Sequence, residues 1–388
     1  MPIRASLTLA LTRFWPPRWW QAAIAAAAVV ALGAGGWMVL NGLGAPAATV
    51  SPSQTQSAGA SSSGSPSATP SPSEPPPVAV CPLNGIPLGS NGPLSPVALA
   101  VQIDNHPAAR PGRNLSRADM VIEATVEGDT TRFTAIFLCQ PTLGLTGPVR
   151  SARYYTLDVW RDLHVLPYFF GGATKAMTLF HDAHMPYVNG IKGGWPWFSR
   201  FGSHPAPHDL YADIEATRGA FGTSAQLDGL AGRVGNLCQQ FDFVRNVQVP
   251  TGRSISSVQI QTNGYWRFAW SWDLISGLWR RSDAGVPISD EATGRPVTAR
   301  CVVVQKVVET IDYSSLDPGG SPRRVHQLVG SGTGTLYVNG HAIDLVWSRP
   351  TGQDGTRWTY AATGKRVVLP IGVYWWEIIP TYAVVTEH

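Results

Sequence analysis

AVQIDNHPAARPGRNLSRADMVIEATVEG, Ala100 to Gly128, decides how this chain is read. An almost unbroken apolar run, begun at Pro96 in PVALAVQID, ends at Asp104, Asn105 and His106. Runs of that kind suit a central strand covered on both faces. A loop with Arg110, Arg113 and Arg117 follows, and a second strand carries Glu123 and Glu127. In α/β sheets chemistry collects just beyond the carboxyl ends of strands, which puts Asp104, Asn105 and His106 at a favourable address. A chain that is only 14% charged gathers its ionisable groups here.

DMVIEATVE and TTRFTAIFLCQ flank Gly128-Asp129, a pair that suits a two-residue type II′ turn. That register sets Val126 opposite Thr131, Ala124 opposite Phe133, Ile122 opposite Ala135 and Met120 opposite Phe137, all on a core face. Alternation sends Glu123, Thr125 and Glu127 to the other face, with Arg132 diagonal to both glutamates. The pattern reads either as a salt-bridged exposed ladder or as Arg132 orienting one carboxylate beside a cleft. Four strand residues separate the two glutamates by roughly 13 Å, too far for a glycosidase pair within one strand.

GPVRSAR, Gly147 to Arg153, is the best candidate for an anion site. Ser151 is expected to cap a helix over ARYYTLDVWRDL. Arg150 and Arg153 beside the unpaired amides of such a helix would grip a phosphate or carboxylate. The alternative is a structural strut from Arg150 to Asp104 or Glu123. HVLPYFFGGATKAM reads as strand, Gly171-Gly172, then helix. It lacks the GxxxxGK[ST] pattern of a phosphate loop, and close packing accounts for the glycines.

His181 and His184 are spaced H-x-x-H, and His204 and His208 H-x-x-x-H within SHPAPHD, where two prolines exclude a helix. Zinc needs three or four convergent ligands; no complete set is visible, so neither a metal nor another cofactor is expected. HDLYADIEATRGAF predicts a helix with Asp209 as N-cap and Leu210, Ile214 and Phe221 on one stripe. His208 then lies just before a helix start, where it would serve as a neutral acid or base.

The rest of the chain speaks to location and layout. Residues 1–18 read as a cytoplasmic tail and 19–40 as a transmembrane helix. The chain is apolar from Trp19 to Leu40 except for Gln21, and basic residues flank only its amino side. Ala45-Pro46-Ala47 offers the rival reading of a cleaved signal peptide. Residues 41–80 form a Ser/Pro-rich linker that cannot bury enough apolar surface to order itself. The body beyond is expected to be extracytoplasmic. With Lys+Arg 29 against Asp+Glu 25 and no basic run, nucleic acid is not an expected partner. Four cysteines, Cys81, Cys139, Cys238 and Cys301, allow three pairings; Cys81–Cys139 with Cys238–Cys301 would staple each domain separately.

Residues 81–235 read as a mixed α/β, α+β-like domain and 236–388 as a mostly antiparallel all-β domain. In the second, LYVNGHAIDLVW is an Asn-Gly hairpin turning at Asn339-Gly340. ARCVVVQKVVETID is a long β-branched strand, and GKRVVLPIGVYWWEIIP supplies at least one more. YWRFAWSWD puts Trp266, Phe268, Trp270 and Trp272 on one strand face, either as aromatic core or as a stacking platform for sugars.

IDNHPAARP, LSRADMVIEATVEGDTTRF, GPVRSAR and APHDLY resemble the YerB-like bacterial lipoproteins, the family of domain of unknown function 3048. CPLNGIPL at Cys81 matches the usual opening of that domain, and the resemblance runs to the C-terminus. It implies a two-part ectodomain of the cell envelope whose activity is not established. The lipidated cysteine of the lipoprotein members is missing here, and the 19–40 segment stands in its place. Two functions follow. One is a non-catalytic module that binds an anionic cell-wall polymer or an envelope protein partner through Arg132, Arg150, Ser151, Arg153 and Asn105. The other is a hydrolase or transferase of envelope polymers in which Asp104, His106, Glu123 and His208 share acid–base roles. Convergence of Asp104, His106, Arg150 and His208 on one pocket would favour the enzyme.

Overall fold

Both faces of the strand that ends at Asp104 are covered, and the cover comes from opposite halves of the chain. The computed structural model describes residues 78–90, 92–262 and 266–388, so the expected tail, membrane span and most of the linker lie outside the described residues. Among the described residues no helix is long and apolar enough to cross a membrane. The described residues fall within one compact unit.

The first half supplies strands β1 (Leu99–Asp104), β2 (Met120–Val126) and β3 (Thr130–Phe137), helix α1 (Tyr155–Leu163), strand β4 (Leu166–Phe169), helix α2 (Thr174–Asp182) and strand β5 (Val188–Asn189). Strands β6 (Phe198–Arg200) and β7 (Leu210–Ala212) and the short helix α3 (Ile214–Gly219) follow. Beyond residue 236 the named elements are all strands. The protein is thus mixed α/β with mostly strand content.

One sheet runs through both halves. From one edge its strands are Arg357–Tyr360, His341–Arg349, Gly330–Val338, Cys301–Val307, Tyr374–Pro380, β2, β3, β1, β4 and β5. The seam is β2 against Tyr374–Pro380, paired in parallel from Met120 opposite Tyr374 to Ala124 opposite Ile378. The expected division at 235/236 therefore separates segments in sequence, while a single sheet spans them. Chain order hides this because the sheet is completed by the last long strand.

A smaller sheet containing Ser257–Gln261, Arg267–Asp273 and Leu278–Asp283 packs on one face of β1–β3. Phe268, Trp270 and Trp279 share that core with Val101, Val121, Phe133 and Trp375. The aromatic stripe is therefore core, with Trp270 edge-on to Trp375 at 5.0 Å. On the opposite face α1 lays Tyr155, Val159 and Leu163 over Ile122, Ala124 and Ile136.

The β2–β3 register differs from expectation by one residue. Val126 pairs with Thr130, Ala124 with Arg132 and Glu123 with Phe133. The cause is the turn, where Gly128 (φ +73°) and Asp129 (φ +54°) are both left-handed and three residues, not two, close the loop. A one-residue slip moves side chains to the other face, so Arg132 does not face Glu123. Nor is there an exposed ladder: Glu123 is 1%, Arg132 3% and Glu127 6% exposed.

Three local expectations also change. Ser151 caps nothing; α1 begins at Tyr155 without a side-chain cap, and Ser151 Oγ donates to the Phe170 carbonyl at 3.0 Å. The helix expected after Asp209 begins only at Ile214, capped by Asp213, because Leu210–Ala212 pairs with β6 as a strand. ARCVVVQKVVETID is two strands, Cys301–Val307 and Glu309–Leu316. The Asn339–Gly340 turn lies where the Asn-Gly signal puts it, with Val338 opposite His341.

Cys81 and Cys139 form a disulfide. Cys238 and Cys301 do not, and each is a free thiol. Cys301 is locked in the sheet between Val338 and Tyr374, whereas Cys238 lies beside the carboxyl end of α1, with its amide on the Leu163 carbonyl. Burial pushes the Cys301 thiol up to about 12, as expected of an inert sulfur.

Candidate functional site

At the carboxyl end of β1, Asp104 is 2% exposed and collects partners from three later segments. Its Oδ2 accepts from His208 Nδ1 at 2.8 Å and pairs with Arg150 Nε at 3.1 Å. Oδ1 accepts the His106 amide at 3.0 Å and lies 4.0 Å from Arg132. Burial pushes this carboxyl up, but Arg132, Arg150 and the hydrogen bonds outweigh it, and the group stays below its ordinary value. His106 and His208 stack with centroids 4.7 Å apart. The partners set their tautomers. His106 Nδ1 accepts the Ala108 amide at 3.1 Å, which leaves the neutral ring's proton on Nε2. His208 donates through Nδ1, which leaves Nε2 a lone pair.

Arg150 connects this group to a cleft. Its segment, with Ser151 and Arg153, lines a cavity of about 430 Å³ whose other walls include Glu127, Gly171, Gly172, Arg200 and Arg323. Glu127, just past the end of β2, takes Arg153 Nε on Oε2 at 2.7 Å and both Arg153 Nη2 and Arg323 Nη1 on Oε1. Burial raises the Glu127 carboxyl, yet Arg153, Arg132 and Arg323 hold it below its usual range. Arg153 is itself pushed down to about 10 by burial and by its neighbour Arg132. Arg132 donates to the Ser151 carbonyl at 2.9 Å. Four guanidiniums, Arg132, Arg150, Arg153 and Arg323, thus stand against two carboxylates, Asp104 and Glu127. Nε of Arg132 and Nε of Arg323 are buried without a hydrogen-bond partner.

Arg323 arrives on a two-stranded arm, Glu309–Leu316 paired with Pro322–His326. Glu309 fastens the arm. It meets Thr125, pairs with His326 at 3.1 Å and accepts from Tyr382 at 2.5 Å. Burial works against its ionisation, but His326 and the hydroxyls bring it down to about 2. Lys175 and Tyr154 meet Asp312 at 2.7 and 2.8 Å.

Glu123 does not join the cleft. It points toward the smaller sheet, where Arg281 grips both its oxygens at 2.8 and 2.9 Å. Arg281 also pairs with Asp283, which pairs with Arg110 at 3.0 Å. Asn105 ties this group to β1, donating to Thr131 at 2.7 Å and accepting from Arg110 Nε at 3.0 Å. Glu377, opposite Glu123 across the seam, accepts from Trp270 Nε1 at 2.8 Å. Burial and the facing Glu123 push Glu377 well above its ordinary value.

The structure therefore brings together Asp104, His106, Arg132, Arg150, Ser151, Arg153 and His208, and sets Glu123 and Asn105 in a second, adjoining cluster. Arg323 and Glu377 carry no local sequence signal, since the partners named here lie 196 and 107 residues away, and Arg281 shows only Asp283 two residues on while Glu123 lies 158 away. Cys81, Asp119 and Cys139 converge within metal-ligating reach, but the two sulfurs are bonded to each other.

Comparison with known proteins finds the family model "Protein of unknown function (DUF3048) N-terminal domain" over residues 85–226 and its C-terminal counterpart over 256–376. The chain is 29% identical over 284 residues to "Putative lipoprotein YerB" of Bacillus subtilis (strain 168), covering 73% of this chain and 81% of that protein. The crystal structure of YerB from Bacillus subtilis superposes with a TM-score of 0.65 at 26% identity, covering 79% of this chain and 99% of that one.

Proposed function

The chain belongs to the DUF3048 family, and from that premise we propose that it is a cell-envelope module that binds an anionic ligand in the arginine-lined cleft. One observation carries the reading: four buried or half-buried guanidiniums face three carboxylates, Asp104, Glu127 and the cavity-lining Asp317, an excess of one positive charge. Ion-pair struts are built toward neutrality, because an uncompensated buried charge is costly. An excess aimed at an open cavity is instead relieved by an incoming anion. The envelope location is supported by the similarity to a protein named a lipoprotein and by the apolar 19–40 segment, which would anchor the chain by a single span. A cell-wall polymer or an acidic face of an envelope protein would supply the anion.

The test is co-sedimentation of residues 74–388 with isolated cell-wall sacculi, alongside Arg150→Ala. The wild type should pellet and the variant stay in solution. If neither pellets, wall material is the wrong ligand class.

The Asp104–His208 contact favours a second reading. A carboxylate on Nδ1 leaves His208 Nε2 as a general base, and His106 offers an Nε2–H donor beside it. The bound anion would then be a substrate of a hydrolase or transferase. Mass spectrometry of the supernatant after incubation with sacculi checks this. Fragments released by the wild type and not by His208→Gln would support it, and an unchanged supernatant would remove it.

A further inference from the structure

The positive end of α2 opens into the same cleft. Ala173, the residue before α2, has extended backbone and a methyl side chain that accepts nothing. The first-turn amides of this nine-residue helix therefore lack the cap that Ser, Thr, Asp or Asn supplies. Gly171, Gly172 and Ala173 line the 430 Å³ cavity together with Arg150, Arg153 and Arg323. Arg323 is 7% exposed. Its terminal nitrogens hold Glu127 and the Leu316 carbonyl, while its Nε is left without a partner.

We propose that the cleft seats the phosphate group of a phosphate ester, with the amino end of α2 and the guanidiniums of Arg150, Arg153 and Arg323 as its donors. The proposal rests on the anion-binding reading and names the ligand's chemistry. Donors reach the cavity from three separate elements: the segment before α1, the start of α2 and the two-stranded arm. A tetrahedral dianion presents oxygens in all those directions, whereas a planar carboxylate presents two in one plane.

The ester part follows from what lies beyond. A second, more open depression of about 660 Å³ shares Gly172, Ala173, Asp317, Pro318 and Arg323 with the first, so the two adjoin. Thr174 and Ser315 add hydroxyls there, while Ser314 and Lys175 are engaged by Asp312. Asp317, held by the Ser321 amide at 2.7 Å, faces the shared space and repels a second anion. The second depression therefore suits the neutral, hydroxylated alcohol of the ester.

The experiment is isothermal titration of residues 74–388 with inorganic phosphate, glycerol 3-phosphate and citrate. Phosphate should bind, glycerol 3-phosphate more tightly, and citrate at least about tenfold more weakly than phosphate. Ala173→Asp places a carboxylate cap on the amides of α2. Its melting temperature should hold or rise while phosphate affinity falls at least about tenfold, the scale of one charged hydrogen bond. Citrate binding as tightly as phosphate overturns the proposal, as does a folded Ala173→Asp variant with wild-type phosphate affinity. Free phosphate outbinding the ester removes the ester portion. In either of the first two cases, an Arg153→Ala variant that loses the remaining anion binding leaves the anion reading standing. If no anion binds the wild type, both fall. The citrate comparison uses the wild type alone, so a variant that fails to fold does not spare the proposal.

Discussion

The cluster around Glu123 and the cluster around Asp104 and Glu127 draw on the same three strands and the same residue types, yet they end in different states. In the first, Arg281 and Arg110 meet Glu123 and Asp283, while Glu377 is pushed toward its neutral form. Charge is balanced there, and Arg281 is 0% exposed in its side chain. In the second, guanidiniums outnumber carboxylates, and the surrounding walls enclose an open cavity. An arginine–carboxylate motif is thus no evidence of a binding site by itself; the imbalance, and the space beside it, separate a strut from a receptor.

The largest effect should come from the balanced cluster. Arg281→Leu strands Glu123 in the core and leaves Asp283 to Arg110 alone, and urea unfolding should show a loss of about 3–5 kcal/mol. A smaller loss than that of Arg153→Ala would break the comparison. Arg153→Ala should act mainly on function. Phosphate affinity should fall about tenfold to hundredfold by titration, with a modest stability change, because Arg323 still holds Glu127.

Acid and base should move the two clusters in opposite directions. Glu377 has its folded value raised, so its contribution is full below its unfolded value and is lost as pH rises. Glu377→Gln, which keeps a donor for Glu123 and an acceptor for Trp270, should match the wild type near pH 4.5. It should then gain stability over it at about 1.4 kcal/mol per pH unit above that. Asp104 has its folded value lowered, so its contribution is present above its unfolded value and is lost as pH falls. Asp104→Asn should be less stable at neutral pH, with the gap closing in acid. Melting temperatures from pH 3 to 9 check both, and parallel curves would refute the assignment. The smallest effect belongs to Lys175→Ala. Lys175 is half exposed, and Glu309, Arg323 and Arg324 continue to fasten the arm. Its melting temperature should match the wild type within error.

Much of this was legible locally. The unbroken apolar run of β1 correctly implied two covered faces, and the Asn339–Gly340 turn followed from two residues. Asp104, His106, Arg150 and His208 could be nominated because strand ends and a turn placed them; the last three meet around Asp104, but of the four only Arg150 lines the cleft. The β2–β3 register was not legible, since Gly128-Asp129 fits a two-residue and a three-residue turn equally well and only packing on both faces decides. Arg281 and Arg323 were invisible for a different reason. Each lies on an unremarkable polar position of a distant strand, and its importance comes from pairing across 158 or 196 residues. The same distance concealed the continuous sheet, because β2 finds its neighbour only at Tyr374.

The most direct test of the imbalance is a crystal of residues 74–388 soaked in tungstate, a tetrahedral dianion visible by anomalous scattering. The account predicts a peak within hydrogen-bonding distance of Arg153 and Arg323, and none beside Arg281. Peaks confined to the outer surface, with the cleft vacant, would contradict it.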